Sequence, residues 1–343
     1  MARGKAVALL SGGLDSRLAV KMMVDQDIEV TAINFVTPFC TCTSQGCRSE
    51  ARSAAALLGV PLKVVNNSHA LLEAVRRPKY GHGRGLNPCL DCRILSFRKA
   101  AQHMEEIGAT FIVTGEVVGQ RPMSQRRNAM DIIEAESGLT GKVLRPLSAQ
   151  HFPPTEPEIQ GIVDREKLLS LSGRGRKEQM AMARDMGIND YPCPAGGCLL
   201  TDPGFASRLS ELLEEFPDVT MPQVTLLKAG RHFRSSTGQW VIVPRDDLEN
   251  RRLLNLSHAL VAVVEAVDAV GPVAGVMALG EVDDTTLGEA AALVARYGQS
   301  RESDRVLVRA WAPDGSWERH FEAAPAHGAR LAEELLKKVG IGS

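Results

Sequence analysis

The sequence predicts an α/β protein, a parallel sheet with helices on both faces, followed by a smaller α+β domain. Three observations carry this. The apolar run Ala6-Val-Ala-Leu-Leu10 leads directly into Ser11-Gly12-Gly13-Leu14-Asp15-Ser16 and then into apolar residues at helical spacing. Short apolar runs then alternate with helical patterns as far as Thr114. Beyond about residue 222 the texture changes to separate short strands and a longer apolar stretch.

Taken in order, residues 6–10 read as a fully buried strand, and 16–24 as the helix that follows the glycine segment. Strands are expected at 29–35, 62–65 and 111–114, with helices at 49–58 and 95–107 between them. This alternation places ligands beyond the carboxyl ends of the strands, where the glycine segment lies. Residues 145–160, with Pro146, Pro153, Pro154 and Pro157, read as an irregular crossover, and a helix resumes at 177–186. A proline-bearing linker at 216–222 then closes a first domain of residues 1–215. In the second, residues 222–343, Trp240-Val-Ile-Val243 reads as a strand, 253–270 as a long apolar helix, and Arg305-Val-Leu-Val-Arg-Ala310 as an alternating strand.

The chain of 343 residues is long enough for two or three domains, and its 44% hydrophobic and 24% charged content is that of a soluble globular protein. No stretch reaches the roughly 18 uninterrupted apolar residues of a membrane span, and the first ten residues lack a cleavage site, so the expected location is the cytoplasm. Seven cysteines in that compartment point to thiol chemistry or metal binding rather than disulfides. The net charge of −1 exerts no global pull on nucleic acid, yet residues 76–99 hold Arg76, Arg77, Lys79, Arg84, Arg93, Arg98 and Lys99 against the single acid Asp91.

The two glycines at 12 and 13 let the backbone turn tightly and present N-H groups to an anion. Ser16 stands at the start of the following helix, where hydroxyl, amides and helix dipole face a phosphate together. Asp15 repels that phosphate unless a magnesium ion intervenes. The segment is neither a Walker loop nor a dinucleotide fingerprint.

Cys89 and Cys92, in Pro88-Cys-Leu-Asp-Cys92, stand immediately before the expected helix at 95–107. Cys193 and Cys198 lie in a glycine-rich turn, and one of them completes a site with the first pair. Three readings remain open: a 4Fe-4S cluster with one iron open to exogenous sulfide, persulfide chemistry with a nucleophile and a resolving thiol, or a structural role as a four-thiolate zinc site or as inert buried thiols. Cys40, Cys42 and Cys47 form a cysteine-bearing loop on the same sheet edge as the glycine segment, read either as an active-site loop or as a thiol-rich surface loop.

The segment from Ser11 to Ser16 resembles the signature of the PP-loop ATP pyrophosphatases, a group with an adenine nucleotide alpha hydrolase-like fold. With Leu57-Leu-Gly-Val-Pro-Leu62, Asn87-Pro-Cys-Leu-Asp-Cys92, Thr114-Gly-Glu116 and Gly197-Cys-Leu-Leu200, residues 1 to about 215 resemble the tRNA 2-thiouridine synthetases and, more distantly, the 4-thiouridine synthetases. Residues 230–257, with Gly230-Arg-His-Phe-Arg234, resemble the RNA-binding domain of ribosome-quality-control proteins, which makes Arg231, His232 and Arg234 an expected RNA-binding basic turn.

The resemblance implies an ATP-dependent tRNA sulfurtransferase that adenylates a uridine carbonyl oxygen, releases pyrophosphate and inserts sulfur. It implies Ser11, Gly12, Gly13, Asp15, Ser16, Gly115 and Lys177 as the ATP site, with Mg2+. It further implies Asp15, Cys89 and Cys198 as catalytic, and Cys89, Cys92 and Cys198 as ligands of a 4Fe-4S cluster, with persulfide or Zn2+ as alternatives. The expected partners are tRNA and a sulfur donor, either sulfide or a persulfide-carrying protein, with a homodimer left open. A sulfurtransferase acting on a small molecule or carrier protein, and a non-catalytic RNA-binding module, are the competing functions. The chain departs from thiouridylases in Cys193-Pro-Ala-Gly-Gly197, where those enzymes carry Asp-Ser-Gln-Gly.

Overall fold

The computed structural model describes residues 4–40, 46–191, 197–299 and 301–336, with the side chains of 46–48 and 335–336 left aside. The chain divides into two compact units, Met1–Asp202 and Pro203–Ser343.

In the first unit, β1 (Gly4–Leu9), α1 (Leu14–Val24), β2 (Ile28–Val36), α2 (Gly46–Leu58), β3 (Leu62–Asn66), α3 (Ser68–Arg76), α4 (Cys89–Glu106), β4 (Phe111–Thr114), α5 (Arg127–Glu136), β5 (Val143–Leu144), α6 (Glu156–Ile159) and α7 (Lys177–Asp185) follow in order. The strands form one parallel sheet in the order β3-β2-β1-β4-β5. Alternate residues face opposite layers, as strand geometry dictates. Ala6, Ala8, Val30, Ala32, Phe111 and Val113 pack with Leu14 and Leu18 of α1, Ala54 of α2 and Ala183 of α7. Val7, Leu9, Ile33 and Ile112 pack with Phe97, Ala100 and Met104 of α4 and Ile133 of α5. Helices therefore cover both faces, as the apolar runs predict.

Three helices differ from expectation here. α4 begins at Cys89 rather than at 95, because Pro88 starts the helix while the apolar periodicity used to find it sets in only at Ile94. α3 and α5 are short and amphipathic, and sit in stretches for which no element was expected.

The second unit holds α8 (Pro203–Glu215), α9 (Met221–Leu226), β6 (Arg231–Arg234), β7 (Trp240–Val243), α10 (Asp247–Asn255), β8 (Ala262–Ala266), β9 (Ala274–Met277), α11 (Asp284–Tyr297), β10 (Val306–Trp311), β11 (Glu318–Ala323) and α12 (Pro325–Leu336). Its six strands form an antiparallel sheet in the order β11-β10-β8-β9-β7-β6. Phe233, Val241, Val243, Val264, Val276 and Val308 pack against Leu287, Leu293 and Val294 of α11 and Leu331 of α12. The expected helix over 253–270 is a correction: α10 ends at Asn255, and the Val-rich run from 261 is strand β8, pairing with β9 and β10. A short apolar run suits a buried strand as well as a helix, and its β-branched residues favour the strand. Residues 216–220 connect α8 to α9, whose start is fixed by a Thr220–Gln223 capping box. Among the described residues no helix is long and apolar enough to cross a membrane.

Candidate active site

The glycine segment connects β1 to α1, with Gly13 as an extended N-cap and Leu14 as the first helical residue. Gly12 has φ +84°, and a Cβ there would stand 2.6 Å from the Glu50 carbonyl carbon, so conformation and space both require glycine. Gly115, just past β4, is needed for a different reason. A Cβ on it would lie 2.5 Å from the backbone of Asp15 and Ser16, so the end of β4 abuts the start of α1. Ser16 donates to the Gly13 carbonyl at 2.9 Å and lies 3.2 Å from the Ser11 hydroxyl. Both hydroxyls thus stay within the loop, whose turn they fix.

Asp15 is the unusual group. Gln120 Nε2 donates to its Oδ2 at 3.1 Å, while its Oδ1 is buried with no hydrogen-bond partner. Burial raises its pKa, and the Gln120 bond and the charges of Arg176 and Arg121 act the other way. An orphaned carboxylate oxygen beside an anion-binding loop fits a divalent cation, the hard-cation chemistry expected of Mg2+. Lys177, expected to oppose phosphate, is the exposed first residue of α7, and its neighbour Arg176 is the cation that Asp15 feels.

Gln120 and Arg121 reach the loop because two chain segments are stitched together. Gly173 N-H donates to the Val118 carbonyl at 2.7 Å, Gly119 N-H to the Gln125 carbonyl at 2.7 Å, and Arg121 N-H to Gln125 Oε1 at 3.0 Å. A long-range pairing of this kind leaves no local periodic signal in the chain.

The thiols converge on the same sheet edge. Cys89 and Cys92 lie in the first turn of α4. Cys198 forms an antiparallel bridge with Cys40, which follows β2; Leu199 N-H donates to the Phe39 carbonyl at 2.8 Å, and Leu86 N-H to the Leu200 carbonyl at 2.9 Å. The segment holding Cys198 is therefore pinned between the chain after β2 and the chain before α4. Burial pushes the Cys92 thiol up to about 12, with Arg93 opposing and Cys89 and Cys198 adding. Burial likewise raises Cys198, the Leu200 backbone N-H and Arg121 oppose it, and Cys89 and Cys40 add. These thiols feel one another's charge, yet among the described residues no three His, Cys, Asp or Glu side chains stand close enough to hold a metal ion. Cys42, Cys193 and the Cys47 side chain lie outside the described residues. The donors are chemically right for a cluster, and as folded they do not form a cage around one ion.

Behind both groups runs a buried ionic chain. Glu116, 4% exposed, accepts from Arg93 Nη2 at 2.5 Å and from Arg145 Nε at 3.3 Å, and Arg145 also pairs with Glu134. Burial alone raises the Glu116 carboxyl, and the two guanidinium groups outweigh it, leaving its pKa low. Since Arg93 follows Cys92 and Glu116 follows Gly115, this pair ties the thiol-bearing turn of α4 to the end of β4. Beside it a cavity of about 380 Å3 is lined by Leu90, Met123, Arg126 and Asn128, among others.

In the second unit the expected basic turn is a strand. Arg231, His232 and Arg234 lie in β6; Arg234 pairs with Glu211 and Glu215 and stacks 3.7 Å from the Trp240 ring, and Arg231 stacks on Tyr297. His232 is buried, edge-on to Trp240. These side chains hold the unit together. Residues 203–343 carry 20 acidic against 15 basic groups, whereas residues 1–202 carry 21 against 25, so the basic excess belongs to the first unit.

Residues 4–137 match the family described as tRNA methyl transferase HUP domain, and residues 230–335 match the NFACT protein RNA binding domain. The chain is 26% identical over 282 residues to the tRNA-specific 2-thiouridylase MnmA of Roseiflexus sp. (strain RS-1), covering 77% of this chain and 74% of that protein. It is 35% identical over 162 residues to a probable tRNA sulfurtransferase of Thermotoga maritima, covering 45% of this chain and 38% of the other. A solved 4-thiouridine synthetase in complex with RNA and bound ATP is 26% identical, with 65% of this chain and 52% of that chain aligned at a TM-score of 0.40. The resemblance to thiouridine synthetases and to an RNA-binding domain, read from short motifs, is thus found over long stretches of the chain.

Proposed function

We propose that this protein is an ATP-dependent tRNA sulfurtransferase that activates a uridine carbonyl oxygen as its adenylate and replaces that oxygen with sulfur. One observation carries the reading: Gly115 abuts the backbone of Asp15 and Ser16 while the next residue, Glu116, pairs with Arg93 beside Cys92, which sets the glycine loop and the thiol-bearing turn of α4 at one end of the sheet. The similarity to 2-thiouridylases and to a probable tRNA sulfurtransferase supports the same chemistry.

ATP is held with its phosphates against the amides of Gly12 and Gly13 and the turn fixed by Ser11 and Ser16; Asp15 would hold a magnesium ion, which would supply countercharge for the leaving pyrophosphate. The uridine carbonyl oxygen attacks the α-phosphorus, the bond to the β-phosphate oxygen breaks, and pyrophosphate leaves. The ring carbon now carries AMP as its leaving group. Inorganic hydrosulfide adds to that carbon, AMP departs with the original oxygen, and the sulfur proton is lost to solvent; on the persulfide route the outer sulfur of a cysteine persulfide adds instead, AMP departs, and a second thiol attacks the cysteine sulfur, releasing the thiolated base and leaving a disulfide. Arg121 and Arg176 offset the anionic charge around these steps. The cavity beside Leu90 and Asn128 is where the acceptor base is expected to lodge.

Cys89, Cys92 and Cys198 are the thiols that deliver sulfur, with Cys40 added by its bridge to Cys198. A 4Fe-4S cluster on the first three would supply an iron site for hydrosulfide. A persulfide on one of these thiols and zinc held by them are the alternatives. RNA is drawn to the basic first unit, and residues 222–343 add contacts by shape and hydrogen bonding more than by net charge.

The test is anaerobic reaction of the protein with ATP, magnesium, sulfide and tRNA, following pyrophosphate and thiolated nucleosides, with iron and zinc measured in the protein and in each Cys→Ala variant. Pyrophosphate and thiouridine formed together support the proposal. Pyrophosphate without any thiolated nucleoside would sink it, and stoichiometric zinc without iron would sink the cluster.

A further inference from the structure

A positive charge is buried beneath the glycine loop. Arg17 is 1% exposed. A guanidinium in such a place is tolerated only when its N-H groups are met, and it stays charged. They are met from three directions. Nε donates to the Gly12 carbonyl at 2.7 Å, Nη1 donates to the Asp190 carbonyl, and Nη2 lies 3.6 Å from Glu50 Oε2. Burial lowers the Arg17 pKa, with Asp190 and Glu50 acting against it.

Each partner belongs to a different part of the candidate site. Gly12 is the turn of the nucleotide loop. Glu50 belongs to α2, whose backbone at Glu50 and Ala51 stands 2.6 to 2.8 Å from where a Gly12 Cβ would be. Asp190 follows α7 and precedes Cys198 by eight residues. The Gly12 carbonyl is turned inward onto the guanidinium, away from the phosphate side. One rigid fork therefore joins the loop's turn to α2 and to Asp190.

We infer that Arg17 is a positioning residue that locks the glycine loop to Asp190, eight residues before Cys198, so that filling the loop with nucleotide also restrains the chain at Asp190. The coupling to sulfur delivery rests on the thiolation reading; the locking of the loop does not. Lysine keeps the charge but places one ammonium on a flexible stem, and it cannot reach three separated acceptors at once. Arg17→Lys should therefore fold, yet bind ATP about tenfold more weakly, the scale of a lost charge-assisted hydrogen bond. It should also release several times more pyrophosphate per thiolated nucleoside than the wild type.

Hydrogen exchange on the full-length protein supplies a readout that a general loss of stability would not mimic. In the wild type, ATP with magnesium should slow exchange at residues 13–17 and at 189–191 together; in Arg17→Lys, protection at 13–17 should weaken and that at 189–191 should vanish. A folded Arg17→Lys with wild-type ATP affinity and product ratio would overturn the inference. So would a wild type in which ATP leaves 189–191 unprotected, and this second result decides the matter even if the variant fails to fold. A wild type that releases pyrophosphate without thiolating RNA would instead overturn the thiolation reading, while the exchange pattern still judges Arg17.

Discussion

Replacing His232 with leucine separates the two readings of the second unit. Burial, with Arg208 and Arg245 nearby, lowers its pKa from 6.5 to about 3, and neither ring nitrogen makes a hydrogen bond of good geometry, the nearest backbone being that of Ala229 and Leu227. The native state excludes a proton that the unfolded chain binds below 6.5. The neutral histidine's contribution is therefore fully present above pH 6.5 and is lost as pH falls toward 3. Each pH unit in that window costs about 1.4 kcal/mol, so acidifying from 6.5 to 5 removes roughly 2 kcal/mol. Leucine does not titrate, and its loss of the edge contact with Trp240 costs about 1 kcal/mol at any pH. The variant should be slightly weaker than wild type at pH 7.5 and the more stable of the two at pH 5. Trp240, Trp311 and Trp317, the three tryptophans, all belong to this unit, so urea unfolding of the whole protein followed by fluorescence reports on it directly. The two urea midpoints should shift relative to each other by roughly 1 M between those pH values, and tRNA affinity at neutral pH should be unchanged. Parallel pH curves would refute the burial argument. A large loss of RNA affinity in a folded variant would restore His232 to the RNA surface.

Three further outcomes follow from the site. Asp15→Asn should cut pyrophosphate release by about a hundredfold with folding stability equal or higher, because a carboxylate that burial disfavours is replaced by a neutral amide; thermal melts beside the pyrophosphate assay check both. Glu116→Gln leaves Arg93 and Arg145 without their shared countercharge and should destabilise the first unit by about 3–5 kcal/mol, measured by chemical denaturation. Gly115→Ala drives a methyl into the backbone of Asp15 and Ser16 and should cost about 1–3 kcal/mol along with most ATP-dependent activity; a melt and an ATP titration matching wild type would contradict the close approach.

By itself the sequence determined the alternating first unit, the glycine loop after β1 and the chemistry of a nucleotide site paired with thiols. These are local facts: a buried strand, two glycines and a helix start within sixteen residues, and Cys89 and Cys92 share one helical turn wherever that turn lies. It did not separate helix from strand at 261–266, where a short valine-rich run suits both until β9 and β10 pair with it. The resemblance to an RNA-binding domain made Arg231, His232 and Arg234 an expected basic turn, whereas Trp240, Tyr297, Glu211 and Glu215 convert them into packing groups. Only the tertiary structure brought Cys40 to Cys198, Gln120 to Asp15, and Arg17 to Asp190, pairs separated by 158, 105 and 173 residues. Such contacts carry no periodic trace in the chain, because they are fixed by how the strands are ordered and how loops meet at the sheet's carboxyl edge, and that order is settled only when the whole core is buried at once.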